Sequence, residues 1–187
     1  MQTVLEKIYE ELTYNLEGVS IEELESLTAE IRSTKGKNNI FVYGRGREMM
    51  AISAFAVRLN QMGYRAYIVG ECHVPPILRD DLFLVTNGRN MLQAHAAQMR
   101  IAREQNARIL VLTAHPDGGF SSIPVDGLVH MNGQTLDDEI EGTAFYQTMG
   151  TAYEQALLVL LDCVVVNLME QDGLEPEILQ NNYTNLC

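Results

Sequence analysis

The chain has 187 residues, 47% of them apolar, and carries 25 acidic against 13 basic side chains, a net charge of −12. This length and composition predict one globular domain rather than a disordered chain. The acidity argues against a nucleic-acid partner, because binding to phosphate backbones needs clustered lysine and arginine. The N-terminal segment lacks the basic start and apolar core of a secretory signal, so none is expected.

Cysteine and apolar patterning add two further expectations. Three widely spaced cysteines, Cys72, Cys163 and Cys187, favour free thiols in a reducing cytoplasm and indicate no metal site. The longest apolar run, residues 156–169, contains Asp162 and Asn167. It is too short and too polar for a membrane span, and a buried helix is predicted instead.

In chain order, residues 1–34 show two amphipathic helical stripes, and Ser20 with Glu23 forms a capping box at the start of the second. From residue 40, short apolar runs alternate with helical patterns. Strands are predicted at 40–43, 66–69, 82–86, 109–112 and 127–131. Helices are predicted at 48–61, 90–105 and 149–171, with a short one from Pro176, and the helix at 48–61 is expected to be buried nearly all round. Residues 132–142 are polar and predict an exposed loop.

Continuously apolar strands are buried on both faces, which is typical of a parallel sheet covered by helices. The sequence therefore predicts an α/β fold: a three-layer α/β/α domain, flavodoxin-like or Rossmann-like, with a five-stranded parallel sheet. The N-terminal helical segment, residues 1–38, is expected to pack on the sheet, and a long helix lies near the C-terminus. Residues 1–187 are predicted to form one domain.

The first candidate site is the glycine-rich turn after the first strand, Gly44-Arg45-Gly46-Arg47-Glu48. A strand, a tight turn and a helix N-terminus together favour an anionic ligand. The two glycines match part of a dinucleotide fingerprint, with Met49 in place of the third glycine and Glu71 as a possible ribose ligand. The alternative is that the glycines only shape the turn.

A second candidate loop, residues 86–90, follows the third predicted strand. Asn90 is a good N-cap residue, with Gln93 three positions on, so a capped helix start explains the loop without a ligand. Arg89 is unusual at a helix N-terminus, because the helix dipole disfavours a cation there. An anionic ligand would remove that conflict.

Two further positions could take part in chemistry. His73, beside Pro75-Pro76, is the histidine most suited to acid–base work, whereas His95 and His130 are expected to be structural. Glu154, near the start of the long apolar helix, is partly explained by the helix dipole. Its apolar neighbours could also raise its pKa, as a general base requires.

Several stretches resemble the sugar isomerase (SIS) domain family, and most closely its 6-phospho-3-hexuloisomerases. They include residues 41–47 (FVYGRGR), 58–64 (RLNQMGY), 69–71, 80–82, 112–117 (LTAHPD) and 149–154 (MGTAYE). The similarity covers nearly the whole chain. It implies interconversion of 3-hexulose 6-phosphate and fructose 6-phosphate through an enediolate, with no metal or organic cofactor, in a homo-oligomer (dimer or tetramer).

By position, the resemblance implies that Glu154 is the catalytic base and that Arg47 lies in the active site. It also implies substrate contacts from both loops and from the end of the fourth strand, at Gly44, Arg45, Gly46, Glu48, Asn87, Gly88, Arg89, Asn90 and Thr113. The chain departs from the family pattern at Glu48, at residues 87–92 and at Tyr183. In the family these positions carry a serine, a hydroxyl-rich phosphate loop and a histidine.

These departures leave alternatives open. A carboxylate at Glu48 would repel a bound phosphate, and Arg89 could offset that repulsion by pairing with Glu48 or with the phosphate. Besides a phosphosugar isomerase, the sequence is compatible with a non-catalytic carbohydrate-binding or regulatory protein on the same scaffold. A nucleotide-binding oxidoreductase is a third, weaker alternative.

Overall fold

The computed structural model describes residues 2–133 and 145–186. Two N-terminal helices come first, α1 (Val4–Glu17) and α2 (Ile21–Ser33). Both begin with a capping box, at Thr3 with Glu6 and at Ser20 with Glu23, so the predicted box at Ser20 is confirmed. Part of the polar loop predicted at 132–142 lies outside the described residues.

Strands and helices then alternate. The strands are β1 (Ile40–Tyr43), β2 (Ala66–Ile68), β3 (Leu82–Thr86), β4 (Arg108–Thr113) and β5 (Gly127–His130). The helices are α3 (Arg47–Gln61), α4 (Gln93–Glu104), α5 (Thr151–Asp172) and α6 (Pro176–Asn181). All five strands are parallel, in the order β2-β1-β3-β4-β5. The predicted fold class is confirmed.

Helices cover both faces of the sheet. On one face α2, α3 and α5 bury residues such as Ile31, Phe55 and Leu161 against alternate strand positions, and α1 packs on α5. On the other face α4 covers the remaining strand positions through Ala96, Met99 and Ala102. The central strands β1, β3 and β4 are buried on both faces and mostly apolar, and this is why they could be recognised in the sequence.

The strand order places a reversal point between β1 and β3. The chain leaves β1 toward β2 on one side and returns to β3 on the other. In open parallel sheets, the loops at the carboxyl ends of two such strands diverge and leave a crevice. The loops after β1 and β3 are the first and second candidate loops of the sequence.

Two helices are more exposed than the sequence predicted. Helix α3 leaves Met50 and Val57 exposed, so it is not buried all round. Within the described chain, only α5 is long and apolar enough to span a membrane by length and composition, with a mean hydropathy of 1.6. Half of that stretch is buried within the protein, however, against α3 and α1 among others. That burial is typical of a core helix.

Candidate active site

A cavity of about 440 Å³ opens at the carboxyl ends of β1 and β3. Its walls come from three segments: the loop after β1, the loop and first helical turns after β3, and the residues that lead into α5. The lining residues are Arg45, Gly46, Arg47, Glu48, Arg89, Leu92, His95, Thr148, Met149, Gly150, Thr151, Tyr153 and Glu154. Three arginines and two glutamates thus surround one cavity in a chain of net charge −12.

The loop after β1 is shaped by its glycines. Gly46 is the N-cap residue of α3 and has φ 58° and ψ −131°, a backbone conformation that residues other than glycine rarely adopt. A Cβ on Gly44 would lie 2.6 Å from Thr86 Cγ2, so this loop packs tightly against the end of β3. The turn leaves Arg45 and Arg47 exposed to solvent at the wall of the cavity.

The loop after β3 is held by its own polar groups and by α5. Asn87 is buried, and its Nδ2 donates to the Arg89 carbonyl at 2.6 Å. A Cβ on Gly88 would lie 2.5 Å from Tyr153 Cε1, so the ring of Tyr153 requires a glycine there. The buried Tyr153 hydroxyl donates to the Leu112 carbonyl at 3.0 Å. These contacts fix the loop to the residue preceding Glu154.

The predicted N-cap at Asn90 is wrong. Helix α4 begins at Gln93 with Leu92 as its N-cap residue, and no side chain caps it. The chain between β3 and α4 is instead fixed by backbone contacts such as Met91 N to the Gly118 carbonyl at 2.7 Å. Arg89 therefore precedes the helix by four positions, and the predicted conflict with the helix dipole does not arise.

Glu154 and Arg47 form an ion pair at the cavity. Glu154 lies in the first turn of α5, and its Oε2 is 3.0 Å from Arg47 Nη1. The same Nη1 donates to Thr151 Oγ1 at 3.1 Å, which orients the guanidinium. Burial raises the pKa of Glu154 above its ordinary value of 4.5, and the positive charge of Arg47 limits that rise.

The segment that leads into α5 is anchored from α1. Glu11 is buried and accepts hydrogen bonds from the backbone amides of Tyr146 and Gln147, the latter at 3.1 Å. Two left-handed residues follow, Met149 at φ 62° and Gly150 at φ 79°. This turn brings the N-terminus of α5, and with it Glu154, to the edge of the sheet where β1 and β3 end.

Glu48 is a second carboxylate in the same cavity. Its Oε2 accepts from Thr86 Oγ1 at 2.8 Å, and the Gly88 amide donates to both of its oxygens at 3.2 and 3.3 Å. Burial raises the pKa of Glu48 above 4.5, although these hydrogen bonds lower it. The charge of Glu154 adds to the rise, and the charge of Arg89 opposes it.

The structure brings six of the eleven predicted site residues to the cavity wall: Arg45, Gly46, Arg47, Glu48, Arg89 and Glu154. The other five lie behind it or outside it. Gly44, Asn87 and Gly88 support the two loops, as described above. Asn90 lies against Gly118, and Thr113 is fully buried with its hydroxyl accepting from the His115 amide at 3.0 Å. Substrate contact by these five stays a prediction.

His73 is not in this cavity. Its side chain is exposed, and it lies 3.7 Å from Glu71, which is itself exposed. The interpretation of His73 as the acid–base histidine therefore lacks structural support. His95, expected to be structural, is buried with Nε2 3.1 Å from the Thr86 carbonyl, yet it also lines the cavity. Burial lowers its pKa to about 4, so its ring is neutral near pH 7.

Sequence reasoning missed seven lining residues: Leu92, His95, Thr148, Met149, Gly150, Thr151 and Tyr153. Five of them, residues 148–151 and Tyr153, lie at or just before the start of α5, at least 100 positions after the first loop. The one local signal there was Gly150, since a glycine just before a long apolar helix marks a turn. Among residues 2–133 and 145–186, no cluster of histidine, cysteine, aspartate and glutamate could hold a metal ion.

No protein-family model matches the chain. A 3-hexulose-6-phosphate isomerase of Bacillus subtilis is 31% identical over 180 residues, 96% of this chain and 95% of that protein. A 3-hexulose-6-phosphate isomerase of Methylomonas aminofaciens is 29% identical over 150 residues, 78% of this chain and 79% of that protein.

Among solved structures, a protein of Methanococcus jannaschii for which 3-hexulose-6-phosphate isomerase function was inferred superposes with a TM-score of 0.82 at 24% identity. It covers 98% of each chain, which supports the fold. The identity to the Bacillus protein over nearly the full length of both chains carries the assignment. The chain belongs to the 3-hexulose-6-phosphate isomerase family of SIS-domain proteins.

Proposed function

We propose that this protein interconverts 3-hexulose 6-phosphate and fructose 6-phosphate through an enediolate, with Glu154 as the base. The observation that carries the proposal is the Glu154–Arg47 pair in the cavity where the β1 and β3 loops diverge. Membership of the isomerase family supplies the reaction class, and the position of Glu154 supplies the group that moves the proton.

The size and charge of the cavity suit a hexose phosphate. Small-molecule sites usually have volumes of about 300–1,000 Å³, and this one has about 440 Å³. Arg45, Arg47 and Arg89 provide a local positive charge in an otherwise acidic protein, and guanidinium groups bind phosphate through two parallel hydrogen bonds. The Gly88 amide is engaged by Glu48, so we assign the phosphate to the arginine side of the cavity.

The surroundings of Glu154 suit a general base. A base works best when its pKa lies near the working pH, and burial moves the pKa of Glu154 in that direction. Arg47 stabilises the ionised form of the carboxyl, which is the form that accepts a proton. On substrate binding, Arg47 can transfer its interaction to the developing enediolate oxygen, because its side chain is half exposed and reaches the cavity.

The assembly is proposed to be a homo-oligomer in the cytoplasm. Two neighbouring helices present apolar side chains outward, Val159 and Val166 on α5 and Met50 and Val57 on α3. Burying such residues between subunits would remove apolar surface from water. Light scattering of the wild type should give a dimer or tetramer, and Val166→Lys should shift the population toward monomer. A wild type that is monomeric at micromolar concentration would contradict the proposal.

The test of the activity is a steady-state assay that follows fructose 6-phosphate in both directions. Wild type should turn over, whereas Glu154→Gln should lose about 10²–10⁴-fold in kcat, the usual contribution of a positioned base. Glu170→Gln, on the same helix, is the matched control because Glu170 lies outside the cavity, and it should keep wild-type turnover. Full activity in Glu154→Gln would show that Glu154 is not the base.

One observation favours a second function. Glu48 accepts the hydrogen bond of the Gly88 amide, and a bound anion would otherwise use that donor. With this donor occupied, the site could bind a carbohydrate derivative without converting it. That alternative predicts ligand-dependent thermal stabilisation without turnover. Wild-type turnover in the assay above eliminates it.

A further inference from the structure

The ion pair between Arg47 and Glu154 joins two helices that approach each other at the cavity. Arg47 begins α3, and Glu154 lies in the first turn of α5. The Arg47 side chain is 54% exposed. An ion pair with an exposed partner contributes little by itself, because holding a long side chain in one geometry costs conformational entropy. A further contact must therefore keep the guanidinium beside the carboxyl group.

That contact is the hydroxyl group of Thr151. Arg47 Nη1 lies 3.0 Å from Glu154 Oε2 and donates to Thr151 Oγ1 at 3.1 Å. The hydroxyl carries one proton, which it donates to the Thr148 carbonyl at 2.8 Å. Its oxygen is therefore left as an acceptor for the guanidinium. The position of the Thr148 carbonyl thus determines where Arg47 is held.

The Thr148 carbonyl belongs to a turn that the local sequence disfavours. Met149 and Gly150, which follow it, both have left-handed backbone conformations, with φ 62° and 79°. Such a φ is uncommon for a residue with a side chain, and Met149 lacks the short polar side chain that makes it easier. Strained conformations of this kind persist only where surrounding contacts fix them. The turn therefore needs an anchor outside itself.

Helix α1 supplies that anchor through Glu11. This residue is 9% exposed, and its carboxylate accepts hydrogen bonds from the backbone amides of Tyr146 and Gln147. The Gln147 amide, directly before Thr148, lies 3.1 and 3.2 Å from the two carboxylate oxygens. Hydrogen bonds to an ionised group are about twice as strong as those between neutral groups. The Gln147 side chain also donates to Gln155 of α5 at 3.0 Å, so this segment is bonded to both helices.

We propose that Glu11 is a positioning residue, which holds Arg47 against Glu154 from outside the cavity. The role rests on the isomerase function proposed above. The connection runs from the Glu11 carboxylate through the backbone of residues 147–148 to the Thr151 hydroxyl, and from there to the guanidinium. Without the anchor, the Thr148 carbonyl shifts, the Thr151 hydroxyl turns with it, and the half-exposed Arg47 side chain is free to leave the pair.

The first variant that tests this role is Glu11→Ala. Its kcat/KM should fall by about 10²-fold, the usual effect of a misplaced catalytic group. Glu10→Ala is the matched control, because Glu10 is the exposed neighbour on the same helix and does not line the cavity. The titration of the Glu154 carboxyl carbon, followed by ¹³C NMR, gives the sharper readout. The pKa of Glu154 should rise in Glu11→Ala, because Arg47 no longer limits the effect of burial. A purely structural role would lower Tm and leave this titration unchanged.

The Thr151 hydroxyl is tested by a pair of variants. Thr151→Val keeps the shape of the side chain but removes the hydroxyl, so it should lower kcat/KM and raise the pKa of Glu154 as Glu11→Ala does. Thr151→Ser keeps the hydroxyl and should restore most of what the valine loses. Because the two contacts act in series, adding Glu11→Ala to Thr151→Val should cause little further loss of kcat/KM.

Several results would overturn the proposal. They are a wild-type kcat/KM with an unchanged Glu154 titration in Glu11→Ala, a loss in Thr151→Ser as large as in Thr151→Val, and additive losses in the double variant. If Glu11→Ala does not fold, Glu11→Gln replaces it, since it keeps one acceptor oxygen for the two amides. A raised pKa of Glu154 in Glu11→Gln supports the role, and an unchanged pKa refutes it. Absence of turnover in wild type would refute the isomerase function, whereas the NMR titration would still decide whether Glu11 positions Arg47.

Discussion

Replacing Gly88 by alanine should disturb the candidate active site through Tyr153. The new Cβ would lie 2.5 Å from Cε1 and 2.7 Å from Cδ1 of that ring. Ordinary contact begins near 3.4 Å, so the ring must retreat by about 0.9 Å, the difference between 3.4 and 2.5 Å. The ring is only 1% exposed, and its hydroxyl is bonded to the Leu112 carbonyl, so a shift of the ring would disturb buried contacts. Overpacking of this kind costs about 1–3 kcal/mol.

The same displacement should reduce activity, because Tyr153 is adjacent to Glu154 in α5. A misplacement of about 1 Å in a catalytic group can cost about 10²-fold in rate. Chemical denaturation and steady-state kinetics of Gly88→Ala would measure both effects. Tyr153→Phe is the control that removes the hydroxyl and its bond to Leu112 while keeping the ring. It should lose about 1 kcal/mol and little activity.

A double-mutant cycle separates the clash from any other effect of the alanine. In a Tyr153→Leu background the ring atoms that collide with the new Cβ are absent, so Gly88→Ala should cost much less stability there. A coupling of about 1–2 kcal/mol is expected between two such contacting positions. Equal costs of Gly88→Ala in both backgrounds would refute the reasoning, since the loss could not then come from the ring.

Three further predictions follow from the charged groups. Arg47→Ala should raise the pKa of Glu154 further, because it removes the positive charge that limits the effect of burial. The acid limb of the kcat/KM profile should therefore move to higher pH. An unmoved limb would contradict the pairing of Arg47 with Glu154. Asp172→Asn should destabilise the protein by about 1–3 kcal/mol at pH 7, and Tyr64→Phe, which removes one bond to the same carboxylate, by about 1 kcal/mol. Partner hydrogen bonds lower the pKa of Asp172 below 3.8 despite its burial, so that deficit should shrink in acid melts. Because burial raises the pKa of Glu48, the folded protein binds a proton at this carboxyl more tightly than the unfolded chain does, and it loses stability as the pH rises above 4.5. Glu48→Gln should therefore flatten the plot of Tm against pH above 4.5. An equally steep plot for the variant would contradict this prediction.

The sheet was predictable because its physical requirements are local. β1 and β3 were predicted to the residue, since each is a continuous apolar run that ends at a turn. β2 is one residue shorter than predicted, although the Val69 amide still bonds to the Val42 carbonyl at 3.0 Å. Burial on both faces requires apolar side chains at every strand position, so the pattern alone identifies these strands.

The loops were less predictable, because distant contacts determine them. Asparagine is a favoured N-cap residue, so Asn90 was predicted to begin the helix. Helix α4 starts later, because the Met91 amide donates to the Gly118 carbonyl and this bond holds the loop outside the helix. Nothing near Gly88 in the sequence shows that Tyr153 packs on it. Propensity describes neighbours along the chain, and these contacts join residues 27 and 65 positions apart.

The candidate site was predictable only where its residues belong to a local sequence pattern. Arg45, Arg47 and Glu48 were singled out because the strand–turn–helix pattern identifies the loop after β1. Glu154 was singled out from its apolar neighbours, and its role as a base came from the family resemblance. The hydrogen bonds that Glu48 accepts from Thr86 and Gly88 could not be read from the sequence, and they show that this carboxylate holds the loop after β3 in place.

The central claim, that Glu154 moves a proton between C3 and C2 of fructose 6-phosphate, has a direct test. Fructose 6-phosphate is incubated with the protein in D₂O, and deuterium incorporation at each carbon is followed by NMR. The account predicts exchange at C3 with wild type and its loss with Glu154→Gln. Neither conversion nor exchange with wild type, or exchange at C1 alone, would contradict it, because proton transfer would then be absent or would take place between the wrong carbons.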